Sequence, residues 1–196
     1  MGSVTHSILK IQGDEKLKQA IPKKFAEYFF YFILYSFIGW VYEVFLEVVV
    51  YRWGFSNRGV LFGPYCIIYG VGALVLIFSL SGLKKKRICL GRLCITPPLV
   101  FVGIVVITTV LELAGSYIME LIYGEWLWDY TRFSFNFQGR IALNPSLRFG
   151  IGGMIFLYGF QPLFEKLTGR WSDRVLYTVS AVLALLFLAD VIFTLL

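Results

Sequence analysis

Charge is scarce in this 196-residue chain: Asp, Glu, Lys and Arg make up 15% of it, against ~25% in an ordinary soluble domain. Apolar residues account for 58%, and mean hydropathy is +0.75, which excludes a water-soluble globular fold. Histidine occurs once, as His6 in a polar N-terminal stretch. The three cysteines, Cys66, Cys89 and Cys94, lack the spacing of a zinc site and are expected to be reduced thiols. No metal ligand set, no Ser/Cys–His nucleophile and no cofactor is therefore expected. No G-x-x-x-x-G-K-[ST] loop is present, so the chain has no phosphate cradle of its own. Residues 1–24 also lack the apolar core of a secretory leader and are expected to form a cytoplasmic tail.

What the chain does have is a series of long apolar runs. A helix needs about 20 apolar residues to cross the hydrocarbon layer. Spans are expected at Phe29–Tyr51, Tyr65–Leu83, Leu99–Ile122, Leu147–Leu163 and Val175–Leu196. The expectation is an all-α, polytopic membrane protein with five transmembrane helices in a single domain over residues 25–196. The net charge of +6 is explained by basic clusters beside the spans, which suit anionic lipid and topology better than nucleic acid. With the N-terminus inside, thirteen of the eighteen Lys and Arg residues fall on the inner side. The other five, Arg52, Arg58, Arg132, Arg140 and Arg148, fall outside, with no lysine among them. A multi-pass protein of the cell (plasma) membrane, partnered by its lipids, follows.

Acidic residues are the more informative minority. Of twelve, six lie in or beside two of the apolar runs: Glu43 and Glu47 in the first, Glu112, Glu120, Glu125 and Asp129 in or after the third. One carboxylate at the centre of a bilayer costs about 2.5–3.5 kcal/mol, so such groups must face each other, face arginines or line a wet cavity. By helical rise, Glu43 lies about 4–5 Å outward of its span's midpoint, Glu112 about 3 Å and Asp190 roughly 6–7 Å. Glu47 is one turn above Glu43, and Glu120 two turns above Glu112. The loops at Arg52–Tyr65 and Gly124–Gly150 are rich in aromatics and too apolar to be solvated. They are expected to fold back, re-entrant-like, into the outer leaflet. The two halves also echo each other. Glu47-Val-Val-Val-Tyr aligns with Glu120-Leu-Ile-Tyr-Gly, and Asn57-Arg58-Gly59 with Gln138-Gly139-Arg140, as in a parallel repeat.

YSFIGWVYEVFLE, NRGVLFGPYCIIYGVGAL, LELAGSYIMELIYGEWLWDYT, FNFQGRIALN and SLRFG resemble the bacterial membrane family catalogued as putative ABC-transporter type IV permeases. The likeness spans about Tyr35 to Pro162, with Phe149 standing where a tryptophan is expected. It implies membrane transport. A separate ATPase or other membrane subunit is then an expected partner, because any ATP must be hydrolysed elsewhere.

The leading expectation is a permease-like transporter component with an acidic, arginine-capped pocket between the first and third spans for a small cationic or amphiphilic solute. Glu43, Glu47, Glu112 and Glu120 would form the polar site; Arg58, Asp129, Asn136 and Arg140 would shape or gate it. The alternatives are a membrane enzyme or lipid-handling protein acting on headgroups and a membrane scaffold. In a purely structural reading, the four glutamates only pin the loop arginines.

Overall fold

The structure, a computed structural model, describes residues 2–91 and 93–196, with side chains described from Pro22 onward. Among the described residues the regular structure is helical apart from two hairpins of two-residue strands. Helix α1 runs Gly2–Phe45 and continues through a π-helical turn, Leu46–Val50. The stretch expected as a tail is thus continuous with the first span. Helix α2 is Ile67–Lys85, and β1 (Cys89–Leu90) and β2 (Leu93–Cys94) lead to α3, Thr96–Tyr123. A second hairpin, β3 (Asn136–Phe137) and β4 (Ile141–Ala142), precedes α4, Leu143–Ile155. A further π turn, Phe156–Phe160, joins α4 to α5, Gln161–Thr168; α6 is Asp173–Leu195.

Local chemistry sets these ends. Pro97 and Pro98 open α3, where missing N–H groups cost nothing. Gly124 closes it in the left-handed conformation, φ +80°, donating to Glu120 O. Lys84 and Lys85 end α2, complementing the helix dipole. Ser172 caps α6, its Oγ accepting from Val175 N at 3.3 Å.

Among the described residues, four helices are long and apolar enough to cross a membrane: Pro22–Val50, Ile67–Lys85, Thr96–Tyr123 and Asp173–Leu195. The stretch expected as the fourth of five spans is helical from residue 143 to 168 but is not among these four. Asn144, Arg148, Gln161 and four glycines dilute its apolar character. Large apolar side chains face outward, Leu185 at 70% and Phe193 at 71% exposure, while Val100 and Ile104 are fully covered. A surface this apolar has hydrocarbon as its solvent: the protein is an integral membrane protein.

The chain divides into two compact units, each described separately. The first comprises residues up to Gly70 together with Lys166–Leu196. Here α1 packs on α6: Ser180 Oγ donates to Ala26 O at 2.9 Å, and the rings of Phe32 and Phe187 meet edge-on at 5.6 Å. Fully buried Tyr31 joins Glu27 and Thr168 in a closed triad with separations of 2.8–3.0 Å. The second unit is Val71–Glu165, built on α3 against α4. A Cβ on Gly153 would collide with Ile104, and one on Gly150 with Val105 and Phe101, so the two helix backbones approach closely. Thr109 Oγ1 donates to Ser146 Oγ across this contact at 2.8 Å. In the π turn after α4, Leu157 O accepts from Lys84 Nζ at 2.6 Å.

Candidate functional site

In the first unit, the loop after α1 turns back along its own helix. Trp40 Nε1 donates to Asn57 Oδ1 at 2.7 Å, and Asn57 Nδ2 donates to Leu61 O and Phe62 O. Trp40 lies ten residues before Val50, so the loop descends about 15 Å from the helix end. The return is anchored around Glu47, which is buried at 6% exposure. Its Oε1 accepts from Ser56 Oγ at 2.7 Å, and its Oε2 lies 3.1 Å from Arg58 Nε. One turn deeper, Glu43 accepts from the Tyr69 hydroxyl. Gly39, one turn below Glu43, makes that possible: any Cβ there would strike the Tyr69 ring. Asp190 on α6 accepts from Gly63 N at 2.9 Å and holds the Gly-Pro corner of the loop.

The second unit repeats this chemistry with its own residues. Tyr130, from the loop after α3, donates to the buried Glu112 at 2.7 Å. Glu112 lies eleven residues before the end of α3, so this loop also reaches well down its helix. Near the C-terminal end of α3, Arg140 Nη2 pairs with Glu120 at 2.5 Å. Arg140 is 6% exposed, and its guanidinium carbon lies 3.9 Å from the Trp126 ring centroid and 4.2 Å from that of Tyr117. Its Nη1 donates to Ser116 Oγ at 3.3 Å, and Trp128 Nε1 donates to Arg140 O. The β3–β4 turn supplies Arg140 through positive φ at Gln138 (54°) and Gly139 (69°).

The eight candidate residues thus fall into two groups. Glu43, Glu47 and Arg58 belong to the first unit; Glu112, Glu120, Asp129, Asn136 and Arg140 belong to the second. Two loop arginines meet carboxylates, Arg58 with Glu47 and Arg140 with Glu120. Asp129 and Asn136 shape their loop from within. Asp129 accepts from Thr131 N and Oγ1, each at 2.9 Å. Asn136 donates to Phe133 O at 2.7 Å and accepts from Gly139 N at 3.0 Å. The Thr131 N–H, then its hydroxyl, hold the Asp129 carboxyl below its ordinary value.

Sequence reasoning missed the two tyrosines. Tyr69 and Tyr130 are two of twelve, and only packing selects them as carboxylate partners. Gly39 and Trp40 stood beside Glu43 as a signal, since a glycine one turn from a buried acid leaves room for a ring. Among the described residues no group of three or more His, Cys, Asp or Glu side chains could hold a metal ion.

A family model described as "Putative ABC-transporter type IV" matches residues 30–195. No curated protein and no solved structure matches the chain.

Proposed function

The chain belongs to the putative ABC-transporter type IV family, and from that membership we propose that it is a permease-like component of a membrane transporter. It sits in the cell membrane with five crossings, the residue 143–168 helical run being the fourth, and with the N-terminus inside. Each unit carries a polar site for a small cationic or amphiphilic solute. A tyrosine or a loop arginine holds each carboxylate until the solute's positive charge takes over as its partner. A separate subunit, an ATPase or an ion-coupled protein, supplies the energy.

The observation that carries this reading is the recurrence of one costly motif. Each unit holds a glutamate within the apolar layer against a tyrosine hydroxyl and a second one, further out, against an arginine. A neutral apolar pair would hold a loop at lower cost, because an ion pair in a low dielectric often gains nothing over packed hydrocarbon. Ionisable side chains at this depth mark solute and ion paths.

Purified protein in liposomes tests it, through equilibrium binding of labelled tetraethylammonium, which needs no energising subunit. Binding that is lost in Glu43→Gln and Glu112→Gln, with each variant melting within a few degrees of the parent, supports the site. Variants that match the parent in binding yet melt much lower identify the glutamates as structural pins.

A further inference from the structure

Between α2 and α3, within the second unit, β1 and β2 pair antiparallel with Cys89 directly opposite Cys94 and Leu90 opposite Leu93. Ile95 N donates to Ile88 O at 2.9 Å, so residues 88 and 95 are a hydrogen-bonded pair. By alternation Cys89 and Cys94 occupy a non-hydrogen-bonded pair, where opposing Cα atoms stand about 4.5 Å apart and side chains are closest. A disulfide bridges Cα separations of about 4.4–6.8 Å. Both thiols are free and exposed, in contrast to the buried Cys66. The hairpin's base is fixed by Thr96, whose Oγ1 accepts from Ile88 N at 2.9 Å and donates to Lys86 O at 2.8 Å. Lys85, Lys86 and Arg87, all exposed, lead directly into it.

We propose that Cys89 and Cys94 form a dithiol that is oxidised reversibly to an intramolecular disulfide by anionic low-molecular-weight disulfides, which the Lys85–Lys86–Arg87 cluster attracts. The site is independent of the transport reading. Cys94 is the attacking group. It immediately precedes the positive end of α3, and the Thr96 N–H directed at its sulfur holds the thiol below its ordinary pKa. The Cys94 thiolate attacks one sulfur of the small disulfide, a protein–small-molecule disulfide forms, and the other half leaves as thiolate. The Cys89 thiolate then attacks the Cys94 sulfur, forming the Cys89–Cys94 bond and releasing the second half. Two protein thiols are oxidised, one disulfide is reduced to two thiols, and the two protons pass from the cysteines to the departing thiolates. An exposed disulfide of this kind is readily reduced again.

The intact protein in detergent, poised in mixtures of reduced and oxidised glutathione, tests this. Thiols left free are tagged with a polyethylene-glycol maleimide after denaturation and counted on a non-reducing gel. The proposal predicts three tags in the reducing buffer and one in the oxidising buffer, with Cys89 and Cys94 disappearing together and the protein staying monomeric. Three tags throughout, or disulfide-linked dimers, overturn it. In Cys89→Ser, Cys94 is expected to retain glutathione as a mixed disulfide by mass; an unmodified Cys94 overturns its role as attacker. Oxidised glutathione should react several-fold faster than cationic cystamine at low salt, with the gap closing at high salt. Equal rates at low salt overturn the electrostatic attraction.

Discussion

At the scale of single residues, Arg140 shows what an arginine does here that a lysine could not. Its flat guanidinium fills the slot between Trp126 and Tyr117 while its edge bonds Glu120 and Ser116. Glu120 keeps 42% of its side-chain surface exposed, so the ion pair itself is partly screened. The two partners should therefore be unequal. Arg140→Lys is expected to cost about 2–3 kcal/mol, through lost stacking and a buried charge left poorly bonded. Glu120→Gln should cost under about 1 kcal/mol. Thermal unfolding of the purified variants measures both, and equal losses would show that the pair, rather than the stack, holds the loop. Asp129 makes a separate pH prediction. Its folded-state pKa lies below the ordinary value of 3.8, so its contribution is fully present above that value. The contribution is lost as pH falls through the depressed folded-state value. Tryptophan emission from this loop should show an acid step at that point, and the step should be absent in Asp129→Asn.

At the scale of elements, close backbone approach organises the second unit. Gly153→Ala puts a methyl group into Ile104, and overpacking of this kind costs about 1–3 kcal/mol. In an Ile104→Ala background the same change should cost much less, and a double-mutant cycle on melting temperature reads the coupling. If the two costs simply add, α3 and α4 do not meet at these residues. The helices themselves were mostly legible in the chain. Paired prolines, a basic run and a closing glycine punctuate α2 and α3, and the expected ends agree within a few residues. The π turns were not legible, because one extra residue in a helix is set by what packs against it, such as Lys84 at Leu157 O. The helical run through residues 143–168 shows the limit from the other side. Its glycines weaken the hydropathy signal, yet two of them are required for its contact with α3.

At the scale of the whole molecule, charge scarcity decided most of the reading. A carboxylate in an apolar run needs a partner, so pairing of span glutamates with loop arginines could be anticipated from residue types, but which partners meet, Glu47 with Arg58 and Glu120 with Arg140, could not. The tyrosine partners could not either, because the chain has twelve tyrosines and only packing decides which hydroxyl reaches a carboxylate. The proposed orientation makes a prediction of its own. In right-side-out vesicles, an impermeant maleimide should label Leu127→Cys and spare Lys85→Cys in a background where the native cysteines are serine. The opposite labelling would invert the topology. The central claim, that glutamates within the apolar layer receive a solute and do more than pin loops, has a direct test. Dicyclohexylcarbodiimide, which enters membranes and modifies carboxyl groups, should label Glu43 and Glu112 by peptide mapping, and tetraethylammonium should slow both reactions. Labelling that proceeds at the same rate with and without the cation, or two glutamates that never react, would contradict it.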